Sequence, residues 1–206
     1  MNGRAIVKRE KGKRTAAETK AEIYREARTI FNRKGYVAMT LREVAAGVGI
    51  EAQSLYNYTS SKQGLVVSLM KEGTEAIQEV VDAAIESAEP SPTARLWAAV
   101  AAHTKHYCSS DKVMLVREGL VHLDSDHRAD LVAMLKKYED TFKGILADGV
   151  RLAEFRSIDI TPTCFAILGM GESVVNWFDR GRRLDADAVA SCYAELAVRS
   201  VTAQVG

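Results

Sequence analysis

The chain has 206 residues, of which 47% are hydrophobic and 27% are charged, a length that allows one or two domains with a buried core. The three cysteines are scattered, which argues against a disulfide framework or a thiolate zinc site, and no apolar run approaches membrane-spanning length. The net charge is +1, but residues 1–65 carry thirteen Lys and Arg against six Asp and Glu. This asymmetry favours a polyanion as the partner of the N-terminal part; the alternative is a solvated basic tail.

The N-terminal part reads as a basic arm followed by three helical segments, of which the second and third are short. Residues 1–16 are polar and basic, without an apolar signal core, so we expect an arm and a cytoplasmic protein that does not enter a membrane. A first helix is predicted from Ala17 to Lys34, and Gly35 can supply a left-handed stop.

Two shorter helices follow around a glycine turn. Thr40 can cap the first of them, and Glu43 three residues later completes a capping-box pattern. Gly49 breaks this helix, and a further short helix is predicted over 51–58. A short helix, a tight turn and a second short helix are the helix-turn-helix plan, in which the second helix enters the major groove of DNA.

The remainder of the chain is predicted to be helical throughout. Ser60 or Ser61 opens a long fourth helix, which ends before the linker around Pro90. Apolar spacings of three and four indicate a helical bundle, and no alternating run of strand length occurs. The further predicted helices cover residues 93–109, 111–123, 126–154, 161–180 and 185–205.

The fold class expected is therefore all-α: an N-terminal three-helix helix-turn-helix domain and a C-terminal helical bundle, to which the ligand binding and dimerisation argued below are assigned. The expected boundaries are 1–16 for the arm, 17–62 for the DNA-binding domain and 63–206 for the ligand-binding and dimerisation domain.

The helix-turn-helix region resembles the TetR family of bacterial regulators. The resemblance is carried by the run from Thr40 to Ala45, the Gly49-Ile50 turn, the Leu55-Tyr56 pair, and Lys62 followed by Leu65. It implies a homodimeric repressor that binds double-stranded operator DNA and is released by a small molecule. The chain departs from the family pattern at Glu51, where Ser is usual, at Gln53, where Gly is usual, and at Tyr58-Thr59, where His-Phe is usual.

The predicted DNA contacts follow from this resemblance and from the chemistry of the side chains. Thr40, Tyr56, Tyr58 and Lys62 are expected at phosphates, Gln53 at adenine, and Arg42 at guanine or backbone. The exposed side of the reading helix adds Ala52, Ser54 and Asn57. For Tyr56 and Lys62 the alternatives are a core residue and a solvated charge, respectively.

A ligand pocket is predicted among the C-terminal helices, because small-molecule pockets are apolar with a few placed polar groups. The expected lining residues are His103, Tyr107, Met114, Arg117, Tyr138, Phe142, Met170 and Trp177. A faint similarity of the C-terminal part to acyl-CoA-sensing family members suggests an acyl-CoA or another apolar or anionic metabolite as the effector. We expect neither a metal site nor a cofactor.

The helix predicted over 161–180 has two apolar faces, which need two partners. One is its own core, and the other is expected to be a second copy of the chain. Two rival functions remain open from the sequence alone. They are a helical protein-interaction module whose basic arm binds RNA or membrane, and a helical enzyme without a recognisable motif.

Overall fold

The computed structural model describes residues 14–109, 119–179 and 184–202, and those residues form eight α-helices, one short 3-10 helix and no strand. The predicted all-α class is confirmed. The helices are α1 Ala16–Ala38, α2 Leu41–Val48, α3 Ala52–Leu55, α4 Lys62–Glu86, α5 Pro92–Ser109, α6 Ser125–Arg151, α7 Ile160–Glu172 and α8 Ala186–Val201. The 3-10 helix Ser173–Asn176 follows α7 directly.

The chain divides into two compact units, Met1–Val66 and Val67–Gly206. The first contains α1, α2, α3 and the beginning of α4. Its buried side chains come from all of these helices, and Ile23, Val44, Leu55 and Leu65 are each at most 1% exposed. Helices as short as α2 and α3 are not stable alone. The burial of apolar side chains away from water stabilises them against the rest of this unit.

Helix α5 lies at the centre of the second unit, where it contacts α6, α7 and α8 and packs most extensively against α8. Leu96 and Val100 of α5 are fully buried among apolar side chains of these helices. Helix α6 ends in a tight turn in which Ala153 has a positive φ of 59°. The ring of Phe155 then folds back over Gly149, so that a Cβ at position 149 would lie 2.0 Å from the ring.

Several predicted helix limits were wrong, and each error has a local cause. The helix predicted over 161–180 ends at Glu172 and becomes a 3-10 turn, because Ser173 donates back to the Met170 carbonyl and β-branched Val174 and Val175 follow. The order Thr161-Pro162 predicts Thr161 as the N-cap of this helix. The N-cap is instead Asp159, whose side chain accepts from the Thr161 N–H.

The inward face of two helices also differs from prediction. Apolar spacing along the fourth helix places Val80 on the inward face together with Leu65, Leu69 and Ile77. In the structure Val80 is exposed, and its neighbour Val81 is buried instead. The apolar spacing of the helix predicted over 126–154 places Leu152 on its packing face, but Leu152 is exposed because α6 has already ended at Arg151. The predicted helix over 111–123 lies mostly outside the described residues.

Candidate functional site

The turn between α2 and α3 has the geometry of a helix-turn-helix. Helix α2 ends at Gly49, which takes the left-handed conformation (φ 73°, ψ 38°) that glycine adopts without steric cost. The N–H of Ile50 reaches the Ala45 carbonyl at 3.0 Å, which closes the turn tightly before α3 begins. Leu55 of α3 is fully buried and anchors this helix to the first unit.

Helix α3 and the turns that follow it carry the predicted DNA-contacting side chains, most of them exposed. Ala52, Gln53, Tyr56 and Asn57 are exposed, and 55% of the Tyr56 surface is accessible. Ser54 and Tyr58 are half-buried, and Arg42 of α2 is exposed. The regular helix covers only Ala52–Leu55, since Glu51 makes no side-chain cap and turns replace the helix at 56–58. The exposed phenol, amides and guanidinium are groups that bind phosphates and base edges.

A carboxylate of the protein itself, that of Glu43, lies at the N-terminus of α2. The Thr40 hydroxyl accepts a hydrogen bond from the Glu43 N–H and donates one to Glu43 Oε2, each at 3.2 Å. Lys34 pairs with Oε1 of the same carboxylate. The Lys34 hydrogen bond is the main reason that the pKa of Glu43 lies below its ordinary value, and the Thr40 hydrogen bonds act in the same direction. Glu43 is therefore ionised at neutral pH where a DNA phosphate is expected.

Lys62 was predicted to contact phosphate, but its ammonium group lies against the end of α1. Its Nζ donates to the carbonyl oxygens of Tyr36 at 2.9 Å, Met39 at 3.2 Å and Val37 at 3.4 Å. It also lies 4.4 Å from the centroid of the Tyr36 ring. In the free protein this cation is therefore engaged within the first unit.

The second unit has a buried polar pair. His103 is fully buried, with Nε2 3.0 Å from the Leu168 carbonyl and Nδ1 2.6 Å from the Tyr138 hydroxyl. A carbonyl only accepts, so Nε2 carries the proton and Nδ1 accepts from Tyr138. Desolvation lowers the pKa of His103 to about 4, although the Leu168 hydrogen bond opposes the shift. Burial likewise raises the pKa of Tyr138. Both side chains are neutral at physiological pH.

The structure brings together some of the predicted ligand-binding residues. Tyr107 and Phe142 pack edge-on against the His103 ring, with centroids 5.0 and 5.8 Å away, and Met170 packs on the same apolar cluster. Trp177 does not join them: it is 48% exposed and stacks on Tyr193. Met114 and Arg117 lie outside the described residues.

Two neighbours of His103 were not predicted. Gly171 lies so close that a Cβ there would be 2.3 Å from the His103 ring. Thr104 is fully buried, and no hydrogen-bond partner for its Oγ1 is found in the part of the chain that the structure describes. A sequence signal for Thr104 existed, because Val100, Thr104 and Cys108 recur every four residues on one helix face.

No group of three His, Cys, Asp or Glu side chains in the ranges that the structure describes is placed to hold a metal ion. None of the helices in those ranges combines the length and the apolar character that crossing a membrane requires.

Comparison with known proteins gives matches over most of the chain. The family described as "Bacterial regulatory proteins, tetR family" matches residues 23–69, and "Tetracyclin repressor-like, C-terminal domain" matches residues 89–201. The HTH-type transcriptional repressor KstR2 of Rhodococcus jostii is 25% identical over 186 residues, covering 86% of this chain and 88% of the relative.

Solved structures agree in fold. A bacterial regulatory protein of the tetR family from Rhodococcus RHA1 has 26% identity and a TM-score of 0.80, covering 90% of this chain and 97% of its own. AibR, crystallised with isovaleryl coenzyme A and operator DNA, has 23% identity and a TM-score of 0.79, covering 87% and 97%.

Proposed function

This chain belongs to the tetR family of bacterial regulatory proteins, and from that premise we propose that it is a homodimeric repressor which a small-molecule effector releases from operator DNA. The observation that carries the proposal is the helix-turn-helix at Thr40–Tyr58, with the outer face of α3 exposed. The family and the relatives above are transcription regulators and not enzymes. The name of the KstR2 relative, a repressor, supports repression as the sign of regulation.

The proposed DNA contacts are divided by chemistry. Gln53 can form a bidentate pair with adenine, and the Tyr56 hydroxyl can donate to a phosphate. Arg42, Ala52, Ser54, Asn57 and Tyr58 complete the face offered to the major groove. The local excess of positive charge over residues 1–65 supports attraction to the phosphate backbone.

Dimerisation is proposed through α7 and α8. Pro162, Phe165 and Gly169 are exposed on α7, and Cys192 and Leu196 are exposed on α8. These residues follow spacings of three and four, so each helix presents an apolar stripe outward. Pairing both helices with their copies across a twofold axis would bury the stripes in a four-helix bundle. Gly169 would admit a partner backbone closely, because nothing lies within 4 Å of its Cβ position.

The effector is proposed to be an apolar or anionic metabolite such as an acyl-CoA thioester. The aromatic cluster around His103, Tyr138 and Phe142 supports apolar recognition close to α5. AibR and this chain have a common fold at 23% identity. The isovaleryl coenzyme A in that structure is a ligand of AibR. The sequence also offers Arg180, Arg182 and Arg183 as partners for the phosphates of such a ligand, and these three residues lie outside the described residues.

Footprinting on the intergenic DNA next to its own gene tests this function. We expect protection of a pseudo-palindromic site by a dimer, with half-sites about 34–36 Å apart, and a binding constant that falls with salt. Titration with acyl-CoA thioesters of different chain lengths then tests release. A protein that sediments as a monomer at micromolar concentration, or that protects no specific site, would refute the proposal.

A further inference from the structure

The end of α1 has orphan carbonyl groups that its own sequence does not satisfy. The last carbonyls of a helix have no intrahelical partner, and the helix dipole places negative charge there. Gly35, with φ 73° and ψ 175°, interrupts α1, and its last turn contains no basic residue. Another element must supply the hydrogen-bond donors and the positive charge.

Lys62, the first residue of α4, supplies them. An ammonium group has three donors and no acceptor, and three carbonyl oxygens of residues 36, 37 and 39 lie within 3.4 Å of its nitrogen. The Tyr36 ring adds a face contact of the cation–π type. A phosphate contact would require this ammonium to give up carbonyl partners.

The contact between Lys62 and these carbonyls matters because they lie next to the start of α2. Met39 immediately precedes Thr40, the N-cap of α2 and an expected phosphate contact. Met39 itself is fully buried, and its N–H donates to the Gly35 carbonyl at 3.3 Å. By holding the Met39 carbonyl, Lys62 fixes the backbone at the point where α2 begins.

We propose that Lys62 is a positioning residue that locks the first turn of α4 to the junction of α1 and α2, and that it does not bind a DNA phosphate. This inference rests on the proposed operator binding. The lock makes the start of α4 and the start of α2 move together, so a displacement of the first turn of α4 is transmitted to Thr40. Lys62 therefore acts on DNA affinity through Thr40.

The test compares Lys62→Met with Lys20→Met in the full-length protein. Lys20 is a matched control, because it lies on the exposed surface of α1 in the same unit, with Nζ 5.3 Å from the Tyr24 ring centroid. Both variants lose one positive charge. Thermal unfolding is measured without DNA, and binding to the intergenic duplex next to its own gene is measured over a range of salt concentrations.

If Lys62 holds the first turn of α4 to the junction of α1 and α2, Lys62→Met should lower the unfolding midpoint by about 2–4 °C, and Lys20→Met should not. The lock also predicts weaker DNA binding with the same slope of log affinity against log salt as Lys20→Met. A slope lower by about 0.9 in Lys62→Met would mean a lost phosphate contact and would overturn the proposal. Equal unfolding midpoints for the two variants would overturn it as well.

Two controls keep the result interpretable. If the wild-type protein and Lys20→Met both fail to bind any specific site, the proposed function is wrong, and the unfolding midpoints alone decide whether the lock exists. If Lys62→Met does not fold, NMR of the wild-type protein decides. The Lys62 methylene protons should be shifted upfield by the Tyr36 ring and should stay so on addition of the duplex. Loss of that shift on DNA binding would show that the ammonium leaves the carbonyls.

Discussion

The hydroxyl of Thr40 is hydrogen-bonded to the carboxylate of Glu43, at 3.2 Å from Oε2, on the side of α2 where a DNA phosphate is expected. The lowered pKa of Glu43 keeps the carboxylate charged at neutral pH. A bound phosphate would therefore approach a fixed negative charge of the protein.

Glu43→Gln should increase affinity for DNA. Glutamine can still accept the hydrogen bond from the Thr40 hydroxyl, and its N–H can still donate to that hydroxyl. It removes the charge that repels phosphate and frees Lys34 to attract it. Affinity is measured by fluorescence anisotropy at low salt, where the gain should be largest. Glu18→Gln, at the capping box on Thr15 of α1, is the matched control. An affinity equal to or below that of the wild type would contradict this role of Glu43.

Tyr56→Phe should weaken operator binding without affecting the fold. The side chain is 55% exposed, so the ring makes little core contact, and loss of a hydrogen bond to a charged phosphate costs roughly 1.5–3 kcal/mol. Tyr24→Phe on α1 serves as the control, with circular dichroism to verify folding of both variants. Unchanged affinity would show that the Tyr56 hydroxyl does not contact DNA.

Gln53→Ala should alter which base is preferred at one position of each half-site. A bidentate pair between an amide and adenine contributes about 1–3 kcal/mol of discrimination. Binding-site selection on randomised duplexes measures this directly, and Asn57→Ala on the same exposed face provides the comparison. An identical consensus for wild type and Gln53→Ala would exclude Gln53 from base recognition.

His103 should make stability fall in mild acid. Its pKa is about 4 in the folded protein against an ordinary value of 6.5, so the unfolded chain binds the proton more readily. Stability is then complete above pH 6.5 and is lost progressively as the pH falls towards 4, by about 3 kcal/mol from this group alone. Urea unfolding between pH 7 and pH 4 measures the effect. His103→Gln should flatten the dependence, whereas exposed His122→Gln should leave it unchanged; equal slopes for all three proteins would contradict the assignment.

Leu196→Glu should dissociate the dimer. Leu196 is 48% exposed on α8, and a charge there would be buried without a partner in the proposed twofold interface. Val132→Glu is the matched control, because Val132 is 47% exposed on α6 and lies outside the proposed interface. Sedimentation equilibrium should show a monomer for Leu196→Glu and a dimer for Val132→Glu. If Leu196→Glu remains dimeric, the subunits associate through another surface.

The sequence predicted the parts of the fold that depend on local chemistry. Thr40 as the cap of α2 and Gly49 as the residue that ends α2 are confirmed, since each requires only neighbouring residues. The all-helical class followed from apolar spacing alone. The break after Glu172 was missed because apolar periodicity continues through Val174 and Val175, although the backbone changes to a 3-10 turn.

Sequence reasoning could not predict contacts between residues that are distant in the chain. Lys62 reads as a solvated or phosphate-binding charge, and only the folded backbone places three carbonyls around it. His103 reads as either a pocket or a core histidine. Its two hydrogen bonds, to Tyr138 and to the Leu168 carbonyl 65 positions away, decide that both ring nitrogens are occupied in the free protein.

The close contact of Gly171 with His103 also limits which residue this chain can carry at position 171. A methyl group at position 171 would lie 2.3 Å from a ring carbon of His103 and 2.7 Å from Nε2, so the histidine and any larger residue at 171 exclude each other. Position 171 can thus accept a larger residue only after His103 has been replaced by a residue with a smaller side chain. We expect the two positions to covary among relatives, with the order of the two mutations fixed by sterics.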